Sequence, residues 1–452
     1  KEIQVGDYTL TNSNTNNSSD GMIIKYSSTG AVEWARSVGG SSEDQIESVA
    51  VTEEGGVIAG GYFASDEIQV GDYTLTNSGW RDGMLIKYSS EGAVEWARSV
   101  GGSDYDYIYS VAETKEGGVI AGGYFASDEI QVGDYTLTNS GSGMADGMII
   151  KYSSTGAVEW TRSVGGSRNE RIISVAVTEE GGVIAGGYFY SKEIQVGEYT
   201  LANSRDGYEE GMLIKYSSEG TVEWARSVGG GSSDYINSVV VTEEGGVIAG
   251  GYFNSDEIKV GNSTLTNSGY YDGMLIKYSR EGEAEWARSV GGSDYDYINS
   301  VAVTEEGGVI AGGYFSSYEI QVGDYTLTSS DYEDVMLIKY SSTGELEWAR
   351  SVGGRDDDNI NSVAVTEEGG IIAGGYFKSD TIEAGRFNIE NKGEDDGLIL
   401  KLQPNTGVPE IQELTVENSR KEFKITTDVK EIDGVKGGII SGEDKNPYEK
   451  VK

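Results

Sequence analysis

Aromatic, guanidinium and carboxylate side chains gather in a set of short loops of this chain, and their types and spacing are what could support chemistry. Trp80 and Arg81, Tyr105, Tyr107 and Tyr109, Arg168 and Arg171, Arg205 and Tyr208, Tyr235, Tyr270 and Tyr271, Tyr295 and Tyr297, and Tyr332 fall where otherwise near-identical stretches differ. Flat amphipathic rings beside guanidinium groups dominate recognition surfaces. The same loops carry closely spaced acids: Asp104 with Asp106, Asp294 with Asp296, and Asp356 with Asp357 and Asp358. Such acids could bind Ca²⁺, which takes about 6–8 oxygens around one ion. In the other reading they cap turns or face water.

Other chemistry is excluded by composition. Histidine and cysteine are both absent from the 452 residues, which removes disulfides, imidazole or thiolate metal ligands, and every nucleophile–histidine pair. Carboxylate, Tyr, Lys or Ser chemistry remains. The 34 basic and 75 acidic side chains leave a net charge of −41, a field that repels nucleic acid and anionic membranes. No apolar run is long enough to span a membrane, so no insertion is expected from this segment. The chain opens on KEIQVGDYTL, the middle of a string it repeats later, and so reads as a cut piece of a longer protein.

Those loops must be positioned by repeated elements. The string EWARSVGG and its close variants place Trp34, Trp96, Trp160, Trp224, Trp286 and Trp348 at intervals of 62, 64, 64, 62 and 62 residues. GGVIAGGYF-like strings end at Phe63, Phe125, Phe189, Phe253, Phe315 and Phe377 with the same spacing. Within a unit, SVAVTEEGGVIAGGYF reads as two strands around an acidic glycine turn, and DGMLIKYSSEGAVEWARSV as two more. EIQVGDYTLTNS reads as a small hairpin inserted between the pairs. Four strands per unit, repeated about every 60 residues with a large aromatic in the outer strand, is the pattern of a β-propeller blade. The expected fold is all-β, with a right-handed β-helix as the other architecture.

The order SVAVT, GGVIAGGYF, VGDYTLTNS, DGMLIKYSSEGAVEWARSVGG resembles bacterial SBBP-type β-propeller repeats. That resemblance covers residues 1–403 and implies an exported protein of the bacterial surface. The N-terminal unit has only the third and fourth strands, and the last lacks EWARSVGG. A strand upstream of residue 1 is therefore expected to close the ring, giving seven blades in the parent protein, with six as the alternative. Residues 404–452 lose the repeat and read as a linker and an incomplete β module. Their KEFKITTDVKEIDGVKGGIISGEDKNPYEKVK resembles the start of small β domains that follow repeats in Gram-positive surface proteins.

In antiparallel blades, the loops joining one unit to the next open on the same rim as the links carrying the insert. These loops are the variable ones. On the opposite rim TEEGG recurs five times and TKEGG once, and the Glu pairs there, Glu53/Glu54, Glu179/Glu180, Glu243/Glu244, Glu305/Glu306 and Glu367/Glu368, would form a solvated acidic ring. The expected function is non-enzymatic recognition of a glycan or protein on a host or neighbouring cell through the variable rim, without a required cofactor. The alternatives are a structural spacer and a carboxylate- or tyrosine-dependent glycan-cleaving enzyme. The Trp and following Arg of each EWARSVGG read as packing between blades.

Overall fold

The computed structural model describes residues 2–13, 18–329, 332–366, 369–384, 387–391, 393, 395–402, 412–416, 425–432 and 435–442. Every helix-or-strand element among them is a β-strand. One unit shows how the repeat folds. Asp106–Glu113, Val119–Phe125, Asp146–Tyr152 and Val158–Val164 lie side by side in chain order as an antiparallel sheet. Glu129–Val132 and Tyr135–Thr138 form the separate inserted hairpin. Tyr135 Oη donates to the Glu159 carbonyl at 2.6 Å, seating the insert on the fourth strand.

The first strand lies nearest the axis and joins the blades to one another. The amides of Val111, Val175, Val239, Val301 and Val363 each donate to a serine Oγ on the first strand of the preceding blade, at 3.0–3.2 Å. In this unit the second strand, Val119–Phe125, is buried along its whole length because blades cover both its faces. Its glycines permit that approach: a Cβ on Gly122 would sit 2.5 Å from Val175 Cγ1 of the next blade. Phe63, Phe125, Phe189, Phe253, Phe315 and Phe377 are fully buried, each contributing about 1.5–3 kcal/mol of apolar burial.

Each fourth-strand Trp wedges against the next blade. Trp224 Nε1 donates to the Arg280 carbonyl at 3.0 Å, and Arg226 Nε donates to the Gly282 carbonyl at 2.9 Å. Gly282 lies beneath the indole with φ +78°, where an added Cβ would come within 2.8 Å of the ring. The Gly of the turn joining the third and fourth strands is thus required twice, by its left-handed backbone and by the indole. The Trp–Arg pairs are packing elements, as their alternation along one strand face predicts.

Six sheets carry all four blade positions, and Gly21–Tyr26 with Val32–Val38 forms a further two-stranded sheet. One expectation is corrected. The fourth position of the last blade is not left empty: Gln412–Val416 occupies it, pairing Gly397 with Val416 and Lys401 with Gln412. That is the Gly–Val register of the complete blades, such as Gly273 with Val290. Beyond it, Val435–Gly442 runs parallel to Gln412–Val416 and pairs with Ile425–Ile432. Of the stretch 404–452, read as a linker and incomplete β module, residues 404–411, 417–424, 433–434 and 443–452 lie outside the described residues.

At the ends of the array the axial faces are uncovered. Val49 is 57% exposed, whereas its counterparts Val111, Val175, Val239, Val301 and Val363 are each 6% exposed. At the other end, a Cβ on Gly374 would meet nothing within 4 Å.

Candidate functional site

The variable loops converge as the topology requires. In each blade the amide opening the first strand donates to the residue preceding the third strand of the blade before it: Asp106 to the Arg81 carbonyl, Asp296 to that of Tyr271, and Asp358 to that of Glu333. Arg81 with Tyr105, and Tyr271 with Tyr295, also form parallel bridges. The insert ends and inter-blade loops therefore make one continuous surface.

Buried carboxyls anchor it. Asp106 accepts from Gly102 N, Ala126 N, Ser127 N and Ser127 Oγ, at 2.7–3.3 Å. Asp296 and Asp358 likewise receive donors on both oxygens from Gly292 and Ser317, and from Gly354 and Ser379. Asp104, Asp294 and Asp356 each turn an oxygen onto the amide of the following residue. The Ca²⁺ reading does not fit Asp106, Asp296 and Asp358, whose two oxygens are both engaged by N–H and O–H donors, and that leaves Asp104, Asp294 and Asp356 each without a second carboxylate to share an ion. Among the described residues no group of three or more acidic side chains is arranged to hold a metal.

Facing each anchor across the junction is a second carboxyl. Asp82 accepts from Ser78 N at 3.0 Å, while its other oxygen is buried without a hydrogen-bond partner. Desolvation by burial, reinforced by Asp106 and opposed by the Ser78 amide, pushes Asp82 up to about 7. Desolvation also lifts Glu210 and Asp334 to about 7. Glu210 Oε2 and Asp234 Oδ2 both lie within 3.0 Å of the point a Gly229 Cβ would occupy, so the two carboxyls converge.

Above these anchors stand the predicted aromatics. Trp80 and Tyr105 stack at 6.0 Å with 17° between planes, and Tyr270 and Tyr295 stack at 5.2 Å and 5°. These two exposed platforms occupy equivalent positions in different blades. Trp80 and Tyr270 are 66% and 58% exposed, and Tyr332 is also exposed. Tyr271 and Tyr297 continue the second stack inward at 5.6 Å. Tyr107 and Tyr235 instead lie deep, against Tyr124 and Tyr252. Arg168 pairs with Asp206 at 3.1 Å over the Tyr190 ring, and Arg205 lies over Tyr208.

Sequence reasoning missed the inner residues. Tyr62, Tyr124, Tyr188, Tyr252, Tyr314 and Tyr376, the tyrosines of the six GGYF strings, pair across the first two strands with Gln45, Tyr107, Arg171, Tyr235, Tyr297 and Asn359. They lie directly beneath the variable positions. The signal was available: within GGYF the Phe faces the blade junction, so the adjacent Tyr faces the other way. Two clusters result, Tyr62, Tyr107, Tyr109 and Tyr124 in one and Tyr188, Tyr235, Tyr252, Tyr271 and Tyr297 in the other. Burial raises the hydroxyl pKa of Tyr62, Tyr124, Tyr235 and Tyr252, so these groups stay neutral phenols at ordinary pH. A neutral phenol donates hydrogen bonds and is a poor nucleophile.

Arg81 completes the first cluster. It donates to Glu43 at 2.7 Å and to Tyr107 Oη at 2.6 Å, and lies over the Tyr62 ring, while Tyr62 Oη donates to Glu43 at 2.8 Å.

No protein-family model matches the chain. It is 20% identical to an uncharacterised WD repeat-containing protein of Acanthamoeba polyphaga mimivirus, across 84% of this chain and 33% of that protein. It is 28% identical to the regulatory protein FlaEY of Caulobacter vibrioides, across 40% of this chain and 20% of that protein. The chain thus spans a third or less of these relatives. Among solved structures it is similar to the Pan2 WD40 domain of Neurospora crassa, with TM-score 0.42, 8% identity, and coverage of 84% of this chain and 82% of that one. Sqt1 of Chaetomium thermophilum gives TM-score 0.37, 11% identity, and coverage of 89% and 96%. The strand order and the bonding of one blade to the next make the chain a β-propeller of four-stranded blades.

Proposed function

We propose that this propeller is a non-catalytic recognition domain of an exported bacterial surface protein, binding a glycan or protein through its variable rim. The observation that carries the reading is the pair of stacked, solvent-exposed platforms, Trp80 on Tyr105 and Tyr270 on Tyr295. Large rings held flat at the surface lose little side-chain freedom on binding and offer apolar area with polar edges. The surface location rests on the resemblance of the repeats to SBBP-type propellers. Against catalysis, the rim aspartates are engaged as loop anchors and the inner tyrosines are held neutral, so both groups act as structure or as hydrogen-bond donors.

The test is to screen the purified chain on glycan and protein arrays beside a Tyr270→Ala, Tyr271→Ala variant of unchanged melting temperature. Binding that the variant loses supports recognition by the rim. Binding that it keeps in full places the contact elsewhere and sinks the reading.

A further inference from the structure

We propose that Arg171 anchors a carboxylate-binding subsite on the axial side of the variable rim, and that its ligand is a pyranose bearing one carboxylate, of the uronic acid class. The proposal deepens the recognition reading and rests on it. The molecule supplies its own template at Arg81, where a guanidinium stacked on Tyr62 holds the Glu43 carboxylate jointly with the Tyr62 hydroxyl. At Arg171 the same parts recur without the acid. Its guanidinium lies 4.4 Å over the Tyr124 ring, its Nη1 is 3.4 Å from Tyr109 Oη, and it pairs across strands with Tyr188. Its Nε is buried with no hydrogen-bond partner. Among the described residues no carboxylate lies within ion-pair distance of it, in a chain of net charge −41.

A half-buried guanidinium with no acid beside it is costly, and a carboxylate accepting from its outer Nη groups would offset that cost with charge-assisted bonds. The surroundings select the rest of the ligand. The half-buried Tyr109 and Tyr188 offer aromatic surface and hydroxyls that burial keeps neutral, which match the C–H face and hydroxyls of a sugar ring; a bare aspartyl side chain would leave them unused. The acidic field of the whole molecule disfavours polyanions, so a single carboxylate on an otherwise neutral glycan fits.

The experiment titrates the whole chain with methyl β-D-glucuronide, methyl β-D-glucoside and N-acetyl-aspartyl amide by isothermal calorimetry or saturation-transfer NMR, beside Arg171→Gln and Arg171→Lys. The wild type is expected to prefer the glucuronide over the glucoside by about tenfold or more, with R171Q erasing the preference and R171K keeping part of it. Unchanged circular dichroism and melting confirm that the variants fold. Equal affinity for the two sugars, a preference that survives in R171Q, a silent glucuronide, or binding of the aspartyl probe in its place would each overturn the proposal. The two levels separate cleanly. Array ligands that depend on Tyr270 and Tyr271 but show no preference for uronates refute this subsite and leave rim recognition intact.

Discussion

Replacing Trp224 by Ala tests the blade packing that positions everything else. The indole is 4% exposed, lies between Arg226 and Gly282, and spans the junction to the next blade through Nε1 and the Arg280 carbonyl. Truncation removes the apolar area and opens a cavity that the flanking sheets cannot collapse into, a loss of about 3–5 kcal/mol. The Arg280 carbonyl loses the indole N–H but keeps Lys215 Nζ as a donor at 3.2 Å, so the lost hydrogen bond adds little to the cost. Trp224→Phe should restore most of the area without the hydrogen bond and recover more than half of the loss. Urea denaturation followed by circular dichroism reads both, and repeat coupling should extend the destabilisation to neighbouring blades rather than confine it to one. A Trp224→Ala midpoint within about 0.5 kcal/mol of wild type would refute the assignment of this residue to an inter-blade wedge.

Three further outcomes follow from the same geometry. Because Asp82, Glu210 and Asp334 are held near 7 when folded against about 4 unfolded, the folded state binds more protons over that range. Their stabilising contribution is complete below about pH 4 and is lost as pH rises through 7, so the melting temperature should fall between pH 5 and pH 8; a rise would contradict the buried pairs. Asp82→Asn should flatten that slope and melt above wild type at pH 8. Gly122→Val should destabilise by about 1–3 kcal/mol or more in denaturant titration, since its Cβ alone would sit 2.5 Å from Val175 Cγ1.

The sequence made the fold legible because the signals were local and repeated: tandem hairpin strings, an insert, and one Trp per unit at near-constant spacing. It made the rim legible because duplicated loops differ on one side only. What escaped had specific causes. Tyr62, Tyr124, Tyr188, Tyr252 and Tyr314 are invariant among the copies, so a search for differences passed over them although they floor the variable positions. Asp106 and Asp104 stand two residues apart, which reads as a shared cation site, yet Asp106 turns inward to cap its own loop while Asp104 holds the next amide. Gln412–Val416 has neither the Trp nor the Arg of EWARSVGG, and only its register in the sheet reveals it as a fourth strand. Glu367 and Glu368 of the expected acidic ring lie outside the described residues. Elsewhere on that rim, Glu179 and Glu180 meet Lys115 and Arg280 of other blades in exposed pairs that contribute little stability.

Mapping a bound ligand to one of the two rims is the most direct measurement of the account. Hydrogen–deuterium exchange of the chain with and without its strongest array ligand should show protection confined to the variable rim, at the loops around Trp80, Tyr105, Arg171, Tyr270 or Tyr295, with the TEEGG turns unchanged. Protection centred on Glu243, Glu244, Glu305 and Glu306 instead would contradict it.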